Sequence, residues 1–352
     1  MSRFFSSRYA DLTPYTPGEQ PKGTTKVVKL NTNESPFPPS ERALAYAAAH
    51  TRSLNLYPEL QYIDLRTKIA ELHGIRPENV ILGCGSDELL NFAFMALCDP
   101  VRGAAFPDIS YGFYPVYAAL NHIPYTEIPL REFHVVPEDY YGVNKTVFLA
   151  NPNAPTGLAL TRDEIEGILR ANPDNVLVVD EAYVDFGGES CIPLIARYDN
   201  LLVVQTFSKS RSLAGARLGF AAGNEALIAD LNAMKFSVNP YNVSSLTVAI
   251  GLGVLEDEET TQANCRTIME NRAYTTEELT RLGFTVLPSC ANFVFAVTER
   301  ITSRELYEKL KARGVLIRRF DKAGIENYSR ITIGTREQMD VLLQNIREIL
   351  EA

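Results

Sequence analysis

Lys209 stands in Thr206-Phe-Ser-Lys, directly after the apolar run from Leu201 to Val204. Apolar residues followed at once by hydroxyls and an amine read as a buried strand that empties into a polar loop. A lysine there can hold an aldehyde covalently. Ser208 beside it and Arg217 further on offer a hydroxyl and a fixed cation to a phosphate. For a single Ser-Lys pair, a strand followed by a solvated basic turn is the plain alternative.

A second acid-bearing strand end follows the same pattern, with Val176 to Val179 leading into Asp180-Glu-Ala-Tyr183. An acid behind four apolar residues is costly to bury unless a cation meets it. A protonated pyridine nitrogen is such a cation, and Tyr183 could reach a phenolic oxygen on the same ring; an ion pair with an arginine is the competing reading. Gly83-Cys-Gly-Ser-Asp-Glu88 breaks a short apolar strand and opens a helix. Glycines let the backbone approach an anion, and first-turn amides carry positive partial charge. Glycine required only for the bend explains that turn equally well. Tyr111, just past a strand end, can stack on a flat ring or simply pack in the core. The loop from Asn151 to Gly157 carries two prolines that hold an amide at a defined angle. Arg330, projecting from a strand, suits a carboxylate or phosphate taken in a fork. Together, an aldehyde anchor, a phosphate cradle and an acid for a ring nitrogen are what pyridoxal phosphate requires.

These groups need a scaffold that brings them together. Strands ending near Leu82, Phe106, Ala150, Val179 and Thr206 each deliver one of them, and open α/β sheets gather ligands at the carboxyl ends of their strands. Helices are predicted from Ser40, as cap, to His50, from Ile63 to His73, from Ser86, from Glu225 to Lys235 and from Ser244 to Leu255. A charged helix from Thr260 to Leu282 then introduces alternating short strands and helices to the end of the chain, a smaller α+β lobe. Before residue 30, Pro14, Pro17, Gly18, Pro21 and Gly23 break any period, so an arm anchored by Tyr9 and Tyr15 is expected. The boundaries read as 1–40 for the arm and small-domain segment, 41–245 for a large domain and 246–352 for a small C-terminal domain.

Composition limits the function. A chain of 352 residues with 46% hydrophobic residues supports two lobes rather than disorder. The net charge of -9, without a dense Lys/Arg run, argues against a nucleic-acid surface and for small-molecule partners. Five dispersed cysteines lack metal-ligand spacing and suit a reducing compartment. No stretch is long and apolar enough for a bilayer, and the first residues lack a signal-peptide core, so no membrane partner and a cytoplasmic location are expected.

The motifs resemble the histidinol-phosphate aminotransferase family of class II, fold-type I, pyridoxal-phosphate enzymes. The likeness is carried by Tyr15-Thr-Pro-Gly, Leu30-Asn-Thr-Asn-Glu-Ser-Pro, Tyr57-Pro, the Gly83 to Glu88 turn, Ser110-Tyr-Gly, Asn151-Pro-Asn-Ala-Pro-Thr-Gly, Asp180-Glu-Ala-Tyr, Thr206-Phe-Ser-Lys through Arg217-Leu-Gly, Pro240-Tyr-Asn-Val and Ser329-Arg-Ile-Thr-Ile-Gly-Thr. The resemblance implies an α/β fold with a mostly parallel seven-stranded sheet between helices, plus a smaller α+β domain. It implies that Lys209 holds the cofactor aldehyde and moves the proton, that Asp180 keeps the ring nitrogen protonated and that Tyr183 holds the phenolic oxygen. Tyr111 is expected to stack on the ring, with Ser86, Asp87, Thr206, Ser208 and Arg217 around the phosphate. Tyr57 is expected to reach the phosphate of a partner subunit, making a homodimer part of the site. Arg330 is the expected anion receptor, joined by Arg318, Tyr15 and Asn33. The family's asparagine before Pro-Thr-Gly is here Ala154, which leaves Asn153 as the candidate for the ring oxygen. The implied reaction transfers an amino group from L-histidinol phosphate to 2-oxoglutarate. An aromatic aminotransferase or a phosphothreonine decarboxylase shares the scaffold, and a non-catalytic cofactor-binding regulatory module is the alternative from another class.

Overall fold

A computed structural model describes residues 2–21 and 27–352. Gly23, one of the arm's predicted breakers, lies outside the described residues. After the arm, β1 (Val28–Lys29) and the helices α1 (Glu41–His50) and α2 (Ile63–His73) lead into β2 (Val80–Gly83) and α3 (Gly85–Leu97). Ser40 accepts the N–H of Ala43 and so caps α1 as its sequence predicts. Then come β3 (Ala104–Pro107), α4 (Tyr114–Leu120), β4 (Tyr125–Ile128), β5 (Thr146–Ala150), α5 (Arg162–Ala171), β6 (Leu177–Asp180), β7 (Leu201–Thr206) and β8 (Gly219–Gly223). A reciprocal capping box of Thr161 and Glu164 starts α5.

Strands β2 to β8 form one seven-stranded sheet in the order β2-β8-β7-β6-β5-β3-β4. Parallel pairing joins β7, β6, β5, β3 and β4, whereas β8 runs antiparallel to both neighbours. Its register opposes Thr206 to Gly219. Both faces of the sheet are covered. On β5, β6 and β7 the odd positions Val147, Leu149, Leu177, Val179, Leu201 and Val203 enter one core. The even positions Phe148, Val178, Leu202 and Val204 enter the core on the opposite face. Period-two alternation on strands buried on both sides explains why their sequence is apolar throughout.

The rest of the chain comprises α6 (Glu225–Val238), α7 (Ser245–Leu255), α8 (Glu258–Arg281), β9 (Thr285–Val286), β10 (Phe293–Val297), α9 (Ser303–Ala312), β11 (Val315–Leu316), β12 (Arg318–Arg319), β13 (Ser329–Thr332) and α10 (Arg336–Glu351). A second sheet, β12-β13-β10-β9, packs with α8, α9 and α10 around a smaller core, and β11 pairs in parallel with β1. The short apolar and basic stretch after α9 thus forms two strands, β11 and β12, each serving a different partner. α7, read from sequence as lying beyond residue 245 in the small domain, gives Val254 and Leu255 to the larger core. The chain joins the smaller core within α8, at Cys265 and Ile268. That smaller core also takes in Leu30, Ala154 and Tyr183, so the seam between the lobes runs along the carboxyl edge of the large sheet. Among the described residues, no helix is long and apolar enough to cross a membrane.

Candidate active site

A cavity of about 260 Å³ lies at that carboxyl edge, lined among others by Ser86, Asp87, Tyr111, Asp180, Tyr183, Thr206, Ser208, Lys209 and Arg217. Strand order makes this convergence: residues distant in sequence end adjacent strands or begin the loops beyond them. Lys209 Nζ donates to the main-chain oxygen of Thr32 at 3.2 Å and lies 5.9 Å from the centre of the Tyr183 ring. Removal from bulk water, aided by the Arg330 cation, lowers the amine to about 8. Asp180 is buried and meets neutral partners, the Tyr114 hydroxyl at 3.2 Å and the Ala182 N–H at 3.2 Å. Burial drives its carboxyl up to about 7 despite those two hydrogen bonds.

On one side of the cavity the polar groups form a closed cluster. Arg217 Nη2 pairs with Asp87 Oδ2 at 2.9 Å and its Nη1 reaches Ser208 Oγ at 3.4 Å. The Tyr111 hydroxyl donates to Asp87 Oδ1 at 2.5 Å, and Thr206 Oγ1 donates to Ser208 Oγ at 3.0 Å. The turn beneath them is tight: Gly85 has φ of +78°, and a Cβ at Gly219 would come within 2.6 Å of the Gly85 carbonyl carbon and the Ser86 nitrogen. Glycine at 219 is thus required for β8 to lie under the first amides of α3.

A second cavity, about 300 Å³, shares Tyr111, Ala154 and Tyr183 with the first and adds Tyr15, Arg318, Phe320 and Arg330. Arg330 lies between Phe293 and Phe320, with its guanidinium carbon 5.4 and 6.0 Å from the ring centres. Its Nη2 donates to the Asn31 oxygen at 3.1 Å, while its buried Nε has no partner among the described residues. Such a donor is costly to leave unmet, which marks it as a receptor for an anion. Tyr15 stacks on Phe113 at 4.2 Å, and Arg318 donates to the Thr16 oxygen at 3.2 Å, so the arm forms part of this wall.

The chain matches the family described as aminotransferase class I and II over residues 25–346. It is 48% identical over 351 residues to histidinol-phosphate aminotransferase 1 of Bradyrhizobium diazoefficiens, covering 99% of this chain and 100% of the relative. The histidinol-phosphate aminotransferase of Brachyspira hyodysenteriae is 45% identical over 354 residues, the whole length of both. The chain belongs to the class I and II aminotransferases. The fold of this aminotransferase is also that of the histidinol-phosphate aminotransferase of Sinorhizobium meliloti, solved in complex with pyridoxal-5'-phosphate, at a TM-score of 0.86, 23% identity and coverage of 93% and 92%.

The residues of the aminotransferase suit pyridoxal phosphate on their own evidence. Lys209 and the Arg217 cluster line the cavity, and the buried acid Asp180 makes no salt bridge among the described residues, its hydrogen-bond partners being the Tyr114 hydroxyl and the Ala182 N–H. Two expected residues lie elsewhere. Asn153 is buried, but its amide is consumed by the Ile109 oxygen, Thr156 and Ser110, and Ala154 is the residue of that loop at the cavity. Asn33 lines neither cavity; its Nδ2 donates to the Tyr183 hydroxyl at 2.9 Å, and its Oδ1 accepts from Thr332. Tyr57 is 79% exposed and stacks on Tyr241 outside both cavities. Sequence reasoning missed Tyr114, Thr32 and Glu34. Tyr114 follows the aromatic Tyr111-Gly-Phe segment and carries no polar signal of its own, whereas Thr32 and Glu34 lie in the Leu30-Asn-Thr-Asn-Glu-Ser-Pro motif, where nothing in the sequence singles them out.

Proposed function

We propose that the protein is a pyridoxal-phosphate-dependent transaminase that converts L-histidinol phosphate and 2-oxoglutarate to imidazole-acetol phosphate and L-glutamate, in histidine biosynthesis. One observation carries the choice of donor class. The cavity of Lys209 adjoins one in which Arg330 Nε has no partner among the described residues and Arg318 stands beside it, which suits a donor with an amine at one end and a phosphate at the other. The full-length relatives at 45–48% identity bear the name of that activity.

Pyridoxal phosphate supplies, when bound, the electron sink for charge left on the substrate's Cα. With the cofactor bound, Lys209 would hold its aldehyde and then serve as the base that takes the proton from the substrate's Cα and gives it back; an amine lowered to about 8 has a usable neutral fraction near neutral pH. Asp180 would hold a proton at the ring nitrogen, giving its buried carboxylate a directly paired cation. Tyr183 directs its hydroxyl proton at the phenolic oxygen, because Asn33 already donates to the Tyr183 oxygen. Asn33 thus positions Tyr183. With a methyl group at Ala154, Tyr183 carries that contact without help from the 151–157 loop. Ser86, Thr206, Ser208, Arg217 and the first amides of α3 hold the phosphate, Asp87 orients Arg217, and Tyr111 covers the ring. Tyr57 serves the phosphate of a second subunit in a homodimer, and the enzyme works in the cytoplasm.

The test is a visible absorption spectrum and a substrate panel. The purified protein shows a cofactor band that shifts with L-histidinol phosphate and persists with phenylalanine or phosphothreonine, and Lys209→Ala abolishes the covalently attached band. Faster turnover of phenylalanine, or release of carbon dioxide from phosphothreonine, overturns the choice of donor. A band without turnover of any donor overturns the enzyme reading.

A further inference from the structure

The segment that carries Tyr57 is tied to the phosphate-side turn by an unbroken hydrogen-bonded path. Glu88, in the first turn of α3, accepts the N–H of Cys84 at 2.7 Å and so braces the bend from Gly83 to Gly85. The same carboxylate oxygen accepts from Asn242 Nδ2 at 2.5 Å. Asn242 Oδ1 in turn accepts from the Tyr62 hydroxyl at 3.2 Å, and that hydroxyl accepts from Val243 N–H at 3.2 Å. Tyr62 is 3% exposed and has φ of +49°, a conformation that a tyrosine holds only when its surroundings impose it. Lys235 adds a second clamp, with its ammonium 4.3 Å over the Tyr62 ring and donating to the Leu60 oxygen at 3.0 Å. At the other end of the segment, Tyr57 stacks on Tyr241 with ring centres 4.2 Å apart. Both ends of the 57–62 segment therefore rest on residues 241–243, and Asn242 rests on the phosphate-side turn.

We propose that Asn242 is a positioning residue that couples occupancy of the phosphate-side turn to the presentation of Tyr57, so that cofactor binding and subunit pairing strengthen each other. The proposal rests on the shared-site reading given above. Its direction follows from reciprocity: if ordering the Gly83 to Glu88 turn tightens pairing, pairing must tighten the cofactor by the same factor.

The experiment measures that factor. Pyridoxal phosphate is titrated by absorbance into cofactor-free protein above and below the concentration at which the subunits dissociate, and sedimentation equilibrium is run with and without the cofactor. In the wild type the two measurements give one coupling factor, on the order of 10-fold. In Asn242→Ala the factor falls to within about 2-fold of unity while cofactor still attaches at saturation. Tyr62→Phe keeps the ring over Lys235, removes only the hydroxyl and gives the same loss, which guards against an Asn242→Ala protein that fails to fold. Full wild-type coupling in either folded variant overturns the role of Asn242. A wild type that takes up cofactor as a monomer with unchanged affinity overturns the shared-site reading, and this inference with it.

Discussion

Replacing Asp180 with asparagine separates what the carboxylate costs the empty protein from what it gives the loaded one. Its carboxyl moves from 3.8 to about 7, first because it is buried. An acid raised on folding contributes stability below its unfolded value that is lost as pH rises through the folded value. Measured against a neutral isostere, the ionised group therefore becomes a burden that grows from pH 3.8 to about 7 and is constant above. Integrated, the full burden is about 4 kcal/mol, of which roughly 3 kcal/mol develops between pH 5 and pH 9. Urea unfolding of cofactor-free wild type and Asp180→Asn, at one protein concentration and followed by circular dichroism, reads the difference directly. The variant gains about 3 kcal/mol on the wild type between pH 5 and pH 9. With pyridoxal phosphate bound the balance turns over: the ring nitrogen pairs with the carboxylate, the variant loses its advantage, and turnover falls by on the order of 10²-fold. A stability difference that stays flat from pH 5 to pH 9 would refute the reasoning.

Three further outcomes are expected. Because the Lys209 amine is lowered to about 8 by burial and by the Arg330 cation, the rate of cofactor attachment to the empty protein rises about tenfold per pH unit up to that value and then levels; stopped-flow absorbance between pH 6 and pH 9 checks this, and a flat profile contradicts it. Arg330→Met raises KM for the phosphorylated donor by on the order of 10²-fold with a smaller effect on kcat, and Arg330→Lys recovers little, since an ammonium lacks the fork; steady-state kinetics of the two variants decide. Gly219→Ala drives a methyl group against the Gly85–Ser86 peptide, 2.6 Å away, and destabilises the protein by about 1–3 kcal/mol while weakening cofactor affinity; melting and titration of the variant, with unchanged values, would show that the turn yields freely.

Much of the scaffold is legible because its signals are local. Apolar runs ending in polar clusters mark β2, β3, β5, β6 and β7, and the Ser40 side-chain cap marks α1. β4 is not legible: Tyr125, Thr126 and Glu127 are all exposed on this outermost strand, and only Ile128 is buried. The reversed direction of β8 has no sequence signal either, because burial on both faces makes a strand apolar whichever way it runs. Within the site, Lys209, Asp180 and Arg217 announce themselves by charge beside apolar runs. Asn153 and Asn33 do not, because an amide's role depends on which neighbour claims it. Here Ile109, Thr156 and Ser110 claim one and Tyr183 claims the other.

The reversal of β8 has a consequence for how this protein can change. Thr206 and Gly219 face each other across the sheet, so Lys209 and Arg217 both sit on one connection whose two ends are sewn together. The distance between the covalent anchor and the ionic one is a matter of strand register, and the connection works as a gauge block. Insertions and deletions that surface loops absorb at little thermodynamic cost are shut out of positions 207–218, because one added residue would either slide β8 along β7 or pull the arginine away from the lysine. Variation in this chain is free to accumulate in length almost anywhere on the rim, but along that stretch only in side chains.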